Sequence, residues 1–330
     1  MDKRIRESYT RGIRDIALAR FEGGYPEEMG GFESYVVKFQ RNKSEFVLRL
    51  AHTIRRTPDM IQGEVQWIRY LAENGVSVAD AVESLAGNLV EEIPDGKGGK
   101  FLATAFRMIK GKTPWQYGWN TELFTDYGRL LGKMHNLSRS YSPAVDLRPH
   151  WNSTSLGGDL LKMIPEDQKK VRSRIRELEN EALALPMDRD SYGLVHYDAH
   201  GGNMLVSPEG RITLFDFDDC CLSWYANDIA IVLFYMITNA EDPEMTAAEF
   251  LEPFFRGYAE NNSLDPAWLN SIPLFLSIRE IDLYAVIHRS MDIEKLDGWC
   301  GAFMAGRRER LEKGIPYLHM DFSGFSQFLK

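Results

Sequence analysis

Two stretches of this chain concentrate groups that can do chemistry. The first is His196-Tyr197-Asp198-Ala199-His200-Gly201-Gly202-Asn203, and the second is Phe215-Asp216-Phe217-Asp218-Asp219. Their acids, amide and imidazoles flank short apolar runs instead of decorating a solvated face. Asp198 and Asn203 stand five positions apart across a glycine pair that lets a loop fold tightly. A strand returning to Asp216 can bring its carboxylate beside Asn203. One amide oxygen plus one carboxylate is a sparse oxygen set of the kind that holds Mg2+, with substrate phosphates completing the shell. Asp198 is then left to accept a proton from a nucleophilic hydroxyl.

The elements that must position these groups are readable from periodicity. The apolar residues between Arg4 and Phe21 predict one helix. Ser34–Phe39 and Glu45–Leu50 read as a hairpin turning at Asn42, with Gly30-Gly31 punctuating the chain before it. Pro58-Asp59 opens a helix that Asn74-Gly75 stops, with Ile61, Val65, Ile68, Leu71 and Ala72 in one stripe. Two more strands are expected near Ala81–Leu85 and Phe101–Met108, the turn Pro94–Gly99 preceding the latter. Beyond Lys110-Gly111 the pattern becomes helical, over Thr121–Leu137 and Glu166–Leu185, with a polar loop at 139–165 between them. Short strands are expected at Gly193–Val195, Met204–Val206 and Arg211–Phe215, and helices from Asn227 onward. The expected layout is α+β, a small β-rich unit over 1–110 and a larger helical unit over 111–330.

Composition narrows the classes. The chain has 330 residues, 44% hydrophobic and 26% charged, which are globular proportions. With 39 Lys and Arg against 48 Asp and Glu the net charge is −9, and no long basic run offers a patch for nucleic acid or anionic lipid. The three cysteines, Cys220, Cys221 and Cys300, match neither a disulfide framework nor a zinc spacing. The first residues, Met1 to Glu7, carry no apolar signal core, and the run Ile229–Ile237 is far short of the ~20 residues of a membrane span. A cytoplasmic protein without nucleic-acid or membrane partners is expected.

The two polar stretches resemble the catalytic loop and metal-binding segment of the aminoglycoside phosphotransferase/choline kinase family, relatives of the protein kinases. The family loop reads H-G-D-x-H-x-x-N, matched here at His196, Asp198, His200 and Asn203, with Tyr197 where the family has Gly. Its second motif, [ILV]-D-[FW]-[DE], is similar to Phe215-Asp216-Phe217-Asp218. The resemblance covers roughly residues 20–300 and implies a protein-kinase-like bilobal fold, with a β-rich N-terminal lobe and a mostly helical C-terminal lobe. It implies that Gly30 and Gly31 lie in the nucleotide-covering turn, a place that an ordinary structural turn would equally explain. Arg49 takes the place of the phosphate-binding Lys, with Glu64 as its ion-pair partner, and Arg107-Met108-Ile109 resembles the adenine-facing hinge. His196, His200 and Asp228 are implied to support the loop.

The activity so implied is transfer of the γ-phosphoryl group of ATP, or GTP, to a hydroxyl of a small molecule. Asn203 and Asp216 would bind Mg2+, and Asp198 would serve as the catalytic carboxylate. Amino alcohols, amino acids, sugars and aminoglycosides are the candidate acceptors. Asp218, Asp219, Trp224, Glu280 and Tyr284 are candidate acceptor-site residues, since acids with aromatics suit an amine-bearing alcohol. Arg279 and Arg289, on the same expected helix as Glu280, would instead suit an anionic one. Trp115, Trp119 and Trp224 read equally as packing residues. Rival readings are a kinase-like binding module without turnover, favoured by Arg49 and Tyr197, and a protein Ser/Thr kinase of the same fold. Asp198-Ala199-His200 is also similar to the D-A-H-x-D manganese motif of arginase-like hydrolases, but that motif requires a carboxylate where this chain has Gly202.

Overall fold

Leu48 and Leu50 are fully buried while Arg49 between them faces the other way, and this period-two alternation organises the first half of the chain. The computed structural model describes residues 1–143, 147–153 and 160–329. They fall into two units. The first comprises residues 1–111 and 213–218 with the described residues 147–148; the second comprises the remainder.

In the first unit, helices α1 (Lys3–Ser8) and α2 (Arg11–Arg20) precede strands β1 (Gly24–Gly30), β2 (Tyr35–Arg41) and β3 (Ser44–His52). Helix α3 (Pro58–Glu73) follows, then β4 (Ala81–Val82), β5 (Glu91–Pro94) and β6 (Lys100–Arg107). The sheet runs β1-β2-β3-β6-β4, with β5 also on β6, and every pairing is antiparallel. On one face, Val37, Phe39, Leu48, Leu50, Phe101 and Ala103 pack with Ile13, Ala17, Leu18 and Phe21 of α2 and the segment after it. On the other, Ala51 and Leu102 pack with Ile61 of α3.

One expected helix over residues 4–21 is in fact two. Thr10 caps α2 by accepting from Ile13 N (3.3 Å), and the extended Tyr9 stacks its ring on Tyr35, with centroids 3.6 Å apart. A cap and an aromatic contact outweigh continuity of the apolar stripe. The strand expected at 81–85 is only two residues long, and β5 is a strand beyond those expected. Glu91 is buried, accepting from Ser84 Oγ (2.6 Å) and from Arg20 Nη1 (2.6 Å).

The second unit contains α4 (Pro114–Tyr117), α5 (Thr121–Ser140), α6 (Leu160–Met163) and α7 (Lys169–Leu183). Strands β7 (Tyr192–Val195), β8 (Met204–Val206), β9 (Ile212–Leu214, passing into the first unit) and β10 (Cys221–Trp224) come next. Helices α8 (Tyr225–Ile237), α9 (Pro243–Ala259), α10 (Ile272–Ser290), α11 (Gly298–Met304) and α12 (Arg307–Lys313) complete it. The loop expected over 139–165 lies partly outside the described residues. Where described, it contains the end of α5, a 3₁₀ turn at Trp151–Ser153 and α6. Strand β10, unforeseen, pairs antiparallel with β7 from Cys221↔Val195 to Trp224↔Tyr192.

Helices α5 and α9 meet through glycine. A Cβ at Gly128 would lie 1.9 Å from Phe254 O, one at Gly257 2.0 Å from Thr125 O, and one at Gly132 2.6 Å from Tyr258 O. Only hydrogen fits between these backbones. Gly128→Ala is therefore expected to cost about 1–3 kcal/mol by overpacking and to lower the melting temperature by several degrees. An unchanged melt would show that the seam can open without penalty.

Candidate active site

The loop after β7 is built around the Asp228 carboxylate, in the first turn of α8. Its Oδ1 accepts from Tyr197 N (2.8 Å), and its Oδ2 from His196 N (3.3 Å) and His135 Nε2 (3.0 Å). His135, on α5, meets Tyr258 OH through Nδ1 at 2.9 Å. Asp228, His135 and His196 are all fully buried. With its backbone N–H bound, Tyr197 is held at φ +67°, a left-handed conformation that costs a non-glycine residue roughly 1–2 kcal/mol. This explains why the related motif has glycine here. The tyrosine ring of this chain is buried instead, its OH 3.5 Å from Asp282 Oδ2.

From that turn the loop projects Asp198. Asn203 Nδ2 reaches back to Asp198 O and to Asp198 Oδ2, both at 2.9 Å. His200 Nδ1 accepts from Gly202 N (2.9 Å), so its Nε2 carries the proton and faces Asp198 Oδ2 at 3.4 Å. Arg279 of α10 donates through Nη2 to Asp198 Oδ1 and to Tyr235 OH (2.7 Å). Burial alone would raise the Asp198 pKa, but His200 and Arg279 outweigh it and hold the carboxyl at about 2. Tyr127 OH donates to Ala199 O, and Trp115 and Trp119 rings lie against Gly201.

In the first unit, Arg49 and Glu64 form a bidentate pair, Nη1–Oε1 at 2.8 Å and Nη2–Oε2 at 2.7 Å. Arg49 Nη1 also lies 4.0 Å from Asp216 Oδ1 and from Asp218 Oδ1. Burial opposes the Arg49 charge, yet Glu64 and the two aspartates hold its pKa well above the usual value. Asp216 sits at φ +62° with its side chain half exposed, while the neighbouring Phe217 is buried edge-on to Trp67 of α3. The backbone N–H groups of Arg107 and Met108 are engaged by Asp80 O (2.9 Å) and Glu45 O (3.1 Å). Gly31 is confined to glycine, since a Cβ there would fall 2.0 Å from Ser34 O.

The structure thus gathers Asp198, Asn203, His196, His200 and Asp228 in one unit, and Arg49, Glu64 and Asp216 in the other. The candidate acceptor residues are scattered. Asp218 is buried in the first unit, bound by Arg55 and by Arg56 (Nη2–Oδ2 3.1 Å); burial opposes its charge, but these arginines hold its carboxyl well below the usual range. Trp224 is buried and donates to Pro186 O (2.8 Å). Tyr284 donates to Gln168 (2.8 Å), and Glu280 is paired with Arg307 (2.5 Å). Asp219 remains in the second unit, acting electrostatically on Tyr235 and Asp282. The residues sequence reasoning passed over are Tyr235, Asp282, Arg55 and Arg56. For Asp282 the available signal was the run Arg279-Glu280-Ile281-Asp282, three ionisable residues in the middle of a helix whose flanking turns are mostly apolar.

Among the described residues, no group of three or more His, Cys, Asp or Glu side chains is arranged to hold a metal, and no helix is long and apolar enough to cross a membrane. All three cysteines are free.

The fold and loop together define a protein-kinase-like phosphotransferase. Residues 29–269 match the phosphotransferase enzyme family, and the chain belongs to that family. It is a kinase with an alcohol group as acceptor. It is 40% identical over 298 residues to an amicoumacin kinase of Bacillus subtilis (strain 168), 88% of each chain being covered. It superposes on the structure of amicoumacin kinase hAmiN in complex with AMP-PNP, Ca2+ and Ami with a TM-score of 0.91, at 34% identity over 98% of this chain and 99% of the other. A microcompartment-associated aminopropanol kinase has the same fold, with a TM-score of 0.75 at 20% identity over 96% and 99%.

Two outcomes follow from this geometry. Arg49→Met strands Glu64 as a buried unpaired charge and should cost about 3–5 kcal/mol in urea denaturation, with Arg49→Met/Glu64→Met recovering part of the loss. If the double variant is no more stable than the single, the pair is not the source of the cost. The second concerns Asp282, which burial raises to about 8 against the pull of Arg279, from 3.8. The folded chain then keeps a proton that the unfolded chain releases between those values. Stability from the neutral carboxyl is full below about pH 4 and is lost as pH rises towards 8. Asp282→Asn should flatten the decline in urea midpoint between pH 5 and 8, and equal slopes in the two proteins would refute the assignment.

Proposed function

We propose that this chain moves the γ-phosphoryl group of ATP, with Mg2+, onto a hydroxyl of amicoumacin or a molecule closely similar to it. The observation that carries the reading is the Asp198 carboxylate, held ionised by donors on both of its oxygens and projected from a loop braced on Asp228. The similarity to two amicoumacin kinases, one in complex with AMP-PNP, Ca2+ and Ami, supports the choice of acceptor and donor.

In this reading the acceptor hydroxyl oxygen forms the new bond to the γ-phosphorus, the bond to the β-phosphate oxygen breaks, and ADP leaves. A carboxylate with a pKa near 2 is too weak a base to strip an alcohol early. Asp198 therefore orients the hydroxyl and takes its proton late, as phosphorus–oxygen bonding develops in a loose transition state. Arg49, kept cationic and rigid by Glu64, offers charge to the phosphates, and Gly30, Gly31 and the 107–109 segment are assigned to the nucleotide.

Asn203 and Asp216 are the residues assigned to the metal. The Asn203 amide nitrogen is occupied by Asp198, so its amide oxygen is the atom that would meet a cation, and Asp216 offers a half-exposed carboxylate. Two oxygen donors suit a hard ion whose other positions are filled by phosphate and water. When bound, such an ion neutralises phosphate charge.

The test is ADP release with ATP and Mg2+ across amicoumacin, aminopropanol, hydroxylysine, choline and an aminoglycoside. Amicoumacin should give the highest kcat/KM, and another acceptor exceeding it would overturn the substrate assignment. Asp198→Ala should lower kcat by about 10²–10⁴-fold, and retention of the parent rate would overturn the role of that carboxylate.

A further inference from the structure

Helix α10 buries three ionisable side chains, Arg279, Glu280 and Asp282, at 5%, 1% and 1% exposure. Burying an ionisable group is costly unless a partner satisfies it. Successive residues on a helix diverge by about 100°, and the three separate accordingly. Glu280 turns to Arg307 and Arg310. Arg279 and Asp282, three positions apart, share the face turned to the catalytic loop.

What they hold there is two consecutive loop residues. Arg279 Nη2 donates to Asp198 Oδ1, and Asp282 Oδ2 lies 3.5 Å from Tyr197 OH. The other two donors to Asp198, Asn203 Nδ2 and His200 Nε2, both approach Oδ2 and both belong to the loop itself. They move whenever the loop moves. Arg279 contacts the carboxylate from outside the loop and from a rigid element. Its own place is fixed by Tyr235, whose OH it meets at 2.7 Å and whose ring lies 5.1 Å beneath the guanidinium. This arrangement is not optimised for stability, because Arg279 Nε and Asp282 Oδ1 are buried with no hydrogen-bond partner. Such unsatisfied atoms are tolerated where geometry serves something other than folding.

We propose that Arg279 is a positioning residue for phosphoryl transfer, fixing Asp198 against α10 while Asp282 fixes the adjacent Tyr197, so that the carboxylate is aligned on the acceptor hydroxyl before the nucleotide reacts. This rests on the reading of Asp198 as the group that orients that hydroxyl. It also accounts for tyrosine at position 197, whose side chain gives α10 a second hold that glycine could not supply.

A double-variant cycle tests it, using Arg279→Met, Asp198→Asn and the combination, with kcat and KM measured for ATP and for the best acceptor of the panel above. Arg279→Met should lower kcat about 10- to 100-fold, the scale of a misplaced reacting group, and leave KM for ATP within about twofold. On the Asp198→Asn background the same change should cost nothing further, since a residue acting through Asp198 has nothing left to align. Arg279→Lys, which keeps the charge, should recover part of the rate. If Arg279→Met does not fold, Arg279→Lys is carried through the same cycle, with a kcat loss expected on the parent and absent beside Asp198→Asn. Losses that multiply in the combined variant, or a parent-like kcat without Arg279, overturn the proposal while Asp198 keeps its role. A parent-like rate in Asp198→Asn overturns both.

Discussion

A single buried carboxylate governs the geometry of the 196–203 loop. Asp228 takes hydrogen bonds from two successive backbone N–H groups and from His135, and nothing about it is exposed to water. A buried anion is costly unless every lone pair is used, so its three donors are fixed in position with little freedom. Two of those donors are the backbone of residues 196 and 197. Fixing them accompanies the left-handed turn at Tyr197, from which Asp198 follows. The Asp198 carboxylate itself is then held by Asn203 and His200 from within the loop and by Arg279 from α10.

The first unit reaches rigidity by a different route, through arginine. Arg49 takes both oxygens of Glu64, and Arg55 and Arg56 converge on Asp218. Arg148 adds a bond to the backbone oxygen of Asp218 (2.7 Å). Asp216 stands between these two anchored neighbours, with Phe217 driven into the core against Trp67. Its carboxylate is half exposed. Guanidinium suits this task, since its planar fork grips a carboxylate at two points where an ammonium would offer one.

Much of this was legible because it is local. Asp198, His200 and Asn203 fall within six residues, and the chain needs only one tight loop to join them. The alternation Leu48-Arg49-Leu50 likewise announces which strand residue leaves the core. The directions of the candidate acceptor-side residues were not legible, because composition carries no direction. Glu280 and Tyr284 are on the anticipated helix, but the rotation between adjacent residues puts Glu280 against Arg307 and leaves Arg279 facing the loop. The partnership of Arg279 and Asp198 spans 81 positions, a separation over which no spacing rule operates. β5 hid for a related reason, since a buried glutamate is invisible until the arginine that neutralises it is known.

The glycine seam between α5 and α9 has a reach that its distance from the chemistry conceals. His135 is carried by α5 and Tyr258 by α9, and the two side chains meet at 2.9 Å beneath Asp228. The spacing of the two helix axes, set by hydrogen-only contacts, is therefore the datum from which the imidazole height, the Asp228 carboxylate and finally the loop are levelled. Changes in packing along that seam should be transmitted as altered alignment at the mouth of the loop, so drift in this enzyme's turnover could originate in helix spacing with every polar residue of the site intact.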